Sequence, residues 1–430
     1  MVLRAMFSGV SGLRAESEAI GVVGDNIANV NTVGFKSQRA IFQDVLGHSI
    51  LAGTSSALPG SGVRVGDVQQ LFTQGSIANT GVSTDVALNG DGFLVVNGTV
   101  DGITSNFYTR AGQLTIDKEG FLVNSQNLNV QGYTANPDGT LQASVSSLQV
   151  PTASLAPFST TDIEVTANLD SRAAIQTFDI LDPEGTSSGT TSITVFDSLG
   201  TARTLDVYFS SQGGNLYQYN VVVDGGELAG GTPGTATLVS TGTLQFTTDG
   251  ALQTATTPDL DLSFAGGATA NQAIALNFGD DITNDASTGL AGTTQFASET
   301  AVSSQSQDGY ASGEFSGLAI DGTGLVQGLY TNGQKIAIGQ LAVAKFRSND
   351  GLGRAGQNLW IETRDSGTAA LGAAGAGGRA SVSAGALEQS NVDLGEEFVG
   401  LIQHQRSFSA NSRTITTADE MLQELIGIKR

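Results

Sequence analysis

The two ends of this chain carry the same helical repeat, and that leaves few ways to fold. From Leu394 onward, apolar or small residues recur at alternating steps of four and three: Leu394, Phe398, Leu401, Gln405, Phe408, Ser412, Ile415, Asp419, Leu422 and Ile426. This is a heptad seam, the pattern of a coiled coil rather than of a helix laid on a globular core. Asp393 stands at the expected N-cap with Glu396 after it, as in a capping box, and Gly400 weakens the run only modestly. At the other end Leu3, Met6, Val10, Leu13, Ser17, Ile20, Gly24 and Ile27 repeat the same steps. So narrow a seam does not hold a lone helix folded in water, so the two termini are expected to pair. The polar interruptions (Ser17, Gly24, Gln405, Ser412, Asp419) make a weak two-helix coil and suit bundling with further copies. The expected assembly interface is therefore Leu3, Met6, Val10, Leu13, Ile20 and Ile27 together with Leu394, Phe398, Leu401, Phe408, Ile415, Leu422 and Ile426.

Between the helices the period changes to two. Short apolar runs such as Phe93–Val96, Gln113–Ile116, Ser192–Phe196, Thr204–Phe209 and Ile336–Ala344 are divided by Asn89-Gly90-Asp91-Gly92, Asp117-Lys118-Glu119-Gly120 and Asn136-Pro137-Asp138-Gly139. Asn-Gly and Asp-Gly steps between alternating segments mark β-hairpins. The expected fold is mainly β with paired, coiled-coil-like terminal helices. It is nested, with discontinuous inner domains: a helical root of residues 1–70 and 385–430, a β domain of 71–150 and 298–384, and an inserted outer β domain of 151–297. Residues 37–70 read as an extended connector, and the Gly/Ala run 371–378 as a flexible one.

Charge bears on partners. The net charge is −22, and residues 151–297 hold 16 acidic side chains against Arg172 and Arg203. Such a surface repels nucleic acid and anionic membranes. No apolar run approaches the ~20 residues of a membrane span, and Arg14, Glu16 and Glu18 occupy the place of a signal peptide's apolar core, so no cleaved signal is expected. With no cysteine and two histidines, His48 in the connector and His404 read as a surface residue, the chain lacks a ligand set for zinc and a placed catalytic triad. Acidic turns at 89–92, 136–139, 280–285 and 321–324 lack the ligand spacing of a calcium loop and read as ordinary β-turns. No cofactor, metal or enzymatic activity is expected.

Several blocks carry a family resemblance. Ser8-Gly9-Val10-Ser11-Gly12-Leu13 and the stretch from Gly24 to Lys36, with Asn26, Asn29, Gly34, Phe35 and Lys36, resemble the N-terminal signature of the flagellar rod and hook proteins. Asp85–Phe93 and Tyr108–Gly112 are similar to the next block, and Gly385–Leu394, with Asn391 and Asp393, to the C-terminal one. Thr194–Arg203 resembles the outer domain of the hook branch. Distal rod and hook–filament junction proteins are the alternatives within the family; a secreted β-rich glycosidase or an adhesin is the alternative outside it. The resemblance implies a tubular homopolymer of many copies acting as a universal joint, outside the cell and exported without a cleaved signal. It also implies contacts with rod, junction, cap and export components, with terminal helices lining a channel.

Overall fold

The computed structural model describes residues 2–45, 62–136, 139–151 and 153–428, with side chains from Ala5 to Glu424 within those limits. His48 and the Asn136–Gly139 turn's Pro137 and Asp138 fall outside them, as do the side chains of Leu3 and Ile426. Helix α1 spans Val2–Ala28 and helix α2 spans Leu394–Ile428. Asn29 ends α1 by turning its amide back onto the Asp25 carbonyl at 2.9 Å, and Gly34 then takes a positive φ of 69°. Asp393 caps α2, its Oδ1 accepting from Gly395 N at 2.7 Å and from Glu396 N at 3.3 Å.

The chain divides into two compact units. One comprises residues 1–152, 316–329 and 335–430; the other comprises 153–315 and 330–334. The first holds both helices and a largely antiparallel sheet. Its strand Lys335–Lys345 pairs with both Phe93–Val100 and Asn129–Ala135, so sequence-distant halves share one core. Phe93, Tyr108, Phe346 and Trp360 pack at its centre, the Tyr108 and Phe346 rings 4.7 Å apart edge to face. Two readings need correction here. Residues 38–70 are not a bare connector: Gln38–Asp44 and Val63–Gln70 form an antiparallel ladder. Nor is 371–378 merely flexible, since Ala370–Ala373 pairs with Ala342–Lys345, and Arg379 holds the Ala370, Leu371 and Ala376 carbonyls.

The second unit has two sheets around one core. One runs Leu260–Leu262, Gln272–Asn277, Asp162–Asn168, Ala301–Gln307; the other is a meander from Gly189–Phe196 to Leu252–Thr256. Strand 301–307 thus belongs with 162–168 rather than with the first β domain. Alternate residues of both sheets, among them Phe209, Tyr217, Tyr219, Phe246 and Phe278, fill the space between them.

A buried carboxylate fixes one corner of this unit. Asp197 accepts from the backbone of Leu199 and Thr201 at 3.0 and 2.9 Å and pairs with Arg203 at 3.1 Å. Burial alone pushes its pKa up, but the Thr201 amide, Arg203 and the Leu199 amide outweigh that and hold it below the usual carboxylate range. The unfolded chain therefore binds this proton more tightly, and the group's contribution, complete above the ordinary Asp range, is lost as pH falls through the depressed value. Asp197→Ala should cost the second unit about 2–3 kcal/mol and flatten its acid sensitivity. Denaturant unfolding checks this with two probes: tyrosine emission, five of whose seven residues lie in the second unit, should shift, while the single Trp360 should report an unchanged first unit.

Candidate assembly site

The family-signature residues at the two ends meet in one buried polar knot. Lys36 and Glu388 are both fully enclosed, with Nζ and Oε1 2.6 Å apart. Arg110 reaches the other carboxylate oxygen at 3.2 Å. Backbone groups take further positions: Lys36 Nζ donates to the Thr73 carbonyl at 2.6 Å, Gly75 N donates to Glu388 Oε1 at 2.9 Å, and Arg110 Nη2 donates to the Gly90 carbonyl at 2.7 Å, while Arg110 Nε is buried without a partner. The guanidinium also lies over the Phe93 ring, 5.4 Å from its centroid. Two cations share one anion here, and the backbone carbonyls compensate for the difference. Burial lowers the Lys36 pKa, and the Glu388 charge opposes it.

The other signature side chains extend the knot. Asn391 accepts from Ser37 N at 2.7 Å and donates to the Leu71 carbonyl at 2.8 Å. Asn26 exchanges two bonds with the Gln38 backbone and donates to Glu397 at 2.8 Å, which ties α1 to α2. Gly34 N donates to the Glu388 carbonyl at 2.8 Å. A Cβ at Gly34 would stand 2.6 Å from the Ala111 nitrogen, so close approach as well as its φ requires glycine. Phe35 is buried beside it, and Asn29 accepts from Thr32 Oγ1 at 3.1 Å within the turn.

The helices run antiparallel, Gly9 against Ile415, Gly12 against Asn411, and Asn26 against Glu397. Their register differs from the heptad reading by about one residue. On α1 the buried stripe is Gly9, Gly12, Ala15, Ala19, Val23 and Asn26, while Met6, Val10, Leu13, Ile20 and Ile27 flank it half-buried and Ser17 and Gly24 are exposed. On α2 one heptad position holds, through half-buried Leu401, Ile415 and Leu422; the other shifts to Glu397, His404, Asn411 and Ala418. Leu394, Phe398 and Phe408 are exposed. The reason is steric: a Cβ at Gly9 would lie 2.9 Å from the Ile415 side chain, so the closest crossing takes the smallest residues. His404 is likewise not a free surface residue, since its Nδ1–H donates to Glu16 at 2.7 Å and its ring stacks on Phe42. A small-residue pattern at 9, 12, 15 and 19 could have located the crossing; nothing local in the sequence pairs Glu388 with Lys36 or Arg110.

For chemistry the arrangement offers little. Among the described residues no group of His, Cys, Asp or Glu is placed to hold a metal. Two of the acidic turns spend carboxylates on their own amides, Asp321 on Thr323 and Leu325 and Asp281 on Asn284. Among the described residues no helix is long and apolar enough to cross a membrane.

The knot carries a prediction. Glu388→Ala leaves two buried cations without their anion and should cost about 3–5 kcal/mol. Lys36→Met should cost less, because Glu388 keeps Arg110 and the Gly75 amide. With the Lys36 pKa lowered in the fold, the unfolded chain holds that proton more tightly, so stability should rise with pH between the lowered value and 10.5. Trp360-monitored unfolding from pH 7 to 10.5 should show this rise in the natural chain and its loss in Lys36→Met.

Comparison with known proteins matches these elements. The model of the flagella basal body rod protein matches residues 6–36, the flagellar hook protein FlgE/F/G D1 domain 87–168, the flagellar basal body protein FlaE D2 domain 168–310, and the flagellar basal body rod FlgEFG protein C-terminal region 383–428. The flagellar hook protein FlgE of Escherichia coli K12 is 35% identical over 99% of this chain and 100% of its own length. That of Salmonella typhimurium is 34% identical over 98% of both chains, and that of Treponema pallidum 32% over 100% of both. The crystal structure of Helicobacter pylori flagellar hook protein FlgE2, at 14% identity, shares the fold with a TM-score of 0.52 over 73% of this chain and 100% of that one. With a signature knot at its ends and full-length relatives at this identity, the chain belongs to the flagellar hook protein family, whose members are structural subunits and not enzymes.

Proposed function

We propose that many copies of this chain polymerise into the flagellar hook, a flexible tube that joins rod to filament and transmits torque as a universal joint. The observation that supports this most is the apolar surface left on the paired helices. Phe7 is 70% exposed, Phe398 50%, and Phe408 and Met421 are also open, although both helices already have an intramolecular partner. Large side chains in such numbers on one element call for a cover, and further copies supply it. In this reading Leu3, Met6, Val10, Leu13, Ile20, Ile27, Leu394, Phe398, Leu401, Phe408, Ile415, Leu422 and Ile426 serve both the helix pair and its contacts with neighbours. Asn26, Asn29, Gly34, Phe35, Lys36, Asn391 and Asp393 hold the root in shape.

The root of residues 1–70 and 385–430 lines the channel, the β domain of 71–152, 316–329 and 335–384 surrounds it, and the acidic second unit of 153–315 and 330–334 faces outward. Rod and hook–filament junction proteins are the neighbours at the two ends, with the cap and the export apparatus as transient partners. The polymer stands outside the cell, its subunits delivered without a cleaved signal. A glycosidase or adhesin has no use for apolar terminal helices.

The double variant Phe398→Ser, Phe408→Ser tests the reading, since neither side chain fills the chain's own core. Each buried aromatic contributes roughly 1.5–3 kcal/mol, so the pair should raise the protein concentration needed for tubes by at least about a hundredfold. The expected result is a monomer with unchanged Trp360 unfolding and no tubes in electron micrographs. Tubes formed at the wild-type concentration would refute it.

A further inference from the structure

The face of α2 turned away from α1 has an order of its own. Val399, Ile402, Arg406, Arg413, Thr417, Glu420 and Glu424 lie on it at heptad-related steps, opposite the inner residues Glu397, His404, Asn411, Ile415 and Ala418. The stripe begins apolar, with Val399 56% and Ile402 49% exposed. It continues cationic at Arg406 and Arg413 and ends anionic at Glu420 and Glu424. None of these four charged side chains has a hydrogen-bond or ion-pair partner among the described residues. Between Val399 and Thr417 the stripe carries no carboxylate, and between Thr417 and Glu424 no cation.

We infer that this stripe is a docking surface for α2 of a second copy, set parallel and shifted along its axis. A shift of 11 to 14 residues, about 17–21 Å at 1.5 Å per residue, brings Arg406 and Arg413 of one copy opposite Glu420 and Glu424 of the next. Ala410 and Thr417, small residues on the same face, let the two backbones approach. Unshifted parallel helices would set like charges side by side. An antiparallel pairing also matches the charges, but it is self-complementary and closes at a dimer. The shifted parallel contact uses different patches on each copy and continues indefinitely, as a polymer requires. The inference rests on the proposed polymerisation and adds the contact that sets the axial step between copies.

Charge reversal tests it on the full-length chain. One variant carries Arg406→Glu and Arg413→Glu, the other Glu420→Arg and Glu424→Arg. Each alone should need at least about tenfold more protein to form sedimentable tubes, because its stripe becomes a single sign along its length. Their equimolar mixture should assemble near the wild-type concentration, and so should the fourfold variant, in which the two patches trade signs. Trp360 unfolding controls for the fold in every sample, and wild-type growth should slow as salt rises. If either single-sign variant assembles like wild type, the stripe is not a contact. If the mixture stops at a dimer by sedimentation, the pairing is antiparallel and the shifted contact is wrong. If wild type itself forms no tubes, the proposed polymerisation fails instead.

Discussion

Everything in the first unit is conditioned by one buried carboxylate. Glu388 sits fully enclosed between a lysine 352 positions earlier and an arginine 278 positions earlier. An ion in that position is tolerated only where partners occupy its lone pairs, and here Lys36, Arg110 and the Gly75 amide do so. The consequence is geometric. The turn after α1, the segment before the first sheet and the strand leading into α2 must converge on the same few cubic ångströms. An apolar plug of equal volume would fill the space, but it would tolerate a one-residue slip that a charged pair does not.

Close packing and exposure on the helix pair fall to different side chains. The small residues Gly9, Gly12, Ala15 and Ala19 bring the helices together, and the large ones, Phe7, Phe398 and Phe408, are left outside. The first unit thus pairs its buried ions internally while its largest helix side chains stay exposed. The second unit pairs internally too: its arginines, Arg172 and Arg203, are committed to Asp170 and Asp197 within it, so its acidic exterior remains uncompensated. Like-charged exteriors keep copies from associating through the wrong face.

What could be read in advance follows from the range of the physics involved. Helix ends, strand periods and hairpin turns are local, and Asp393, Asn29 and the Asn89-Gly90 step mark them in the chain itself. The Gln38–Asp44 ladder escaped because its alternation is weak and a bulge falls between Ile41 and Phe42. The heptad was half right for an instructive reason. Sequence patterns select the largest apolar residues as a seam, whereas a close antiparallel crossing selects the smallest, and the two differ by one position in each repeat. The Glu388 contacts were illegible because sequence spacing says nothing about which distant cation a carboxylate will meet.

Because Glu388 and α2 follow Lys36, Arg110 and α1 far along the chain, closure is a matter of timing. While a polypeptide emerges from its N-terminus, Lys36 has no anion, Arg110 lacks its carboxylate, and α1 has no cover, whatever else has already folded. The entropy of closing so long a loop is no obstacle, since each doubling of length costs only about 0.6 kcal/mol. The obstacle is order of arrival. A chain that has not yet supplied Glu388 and α2 can complete neither the knot nor the helix pair.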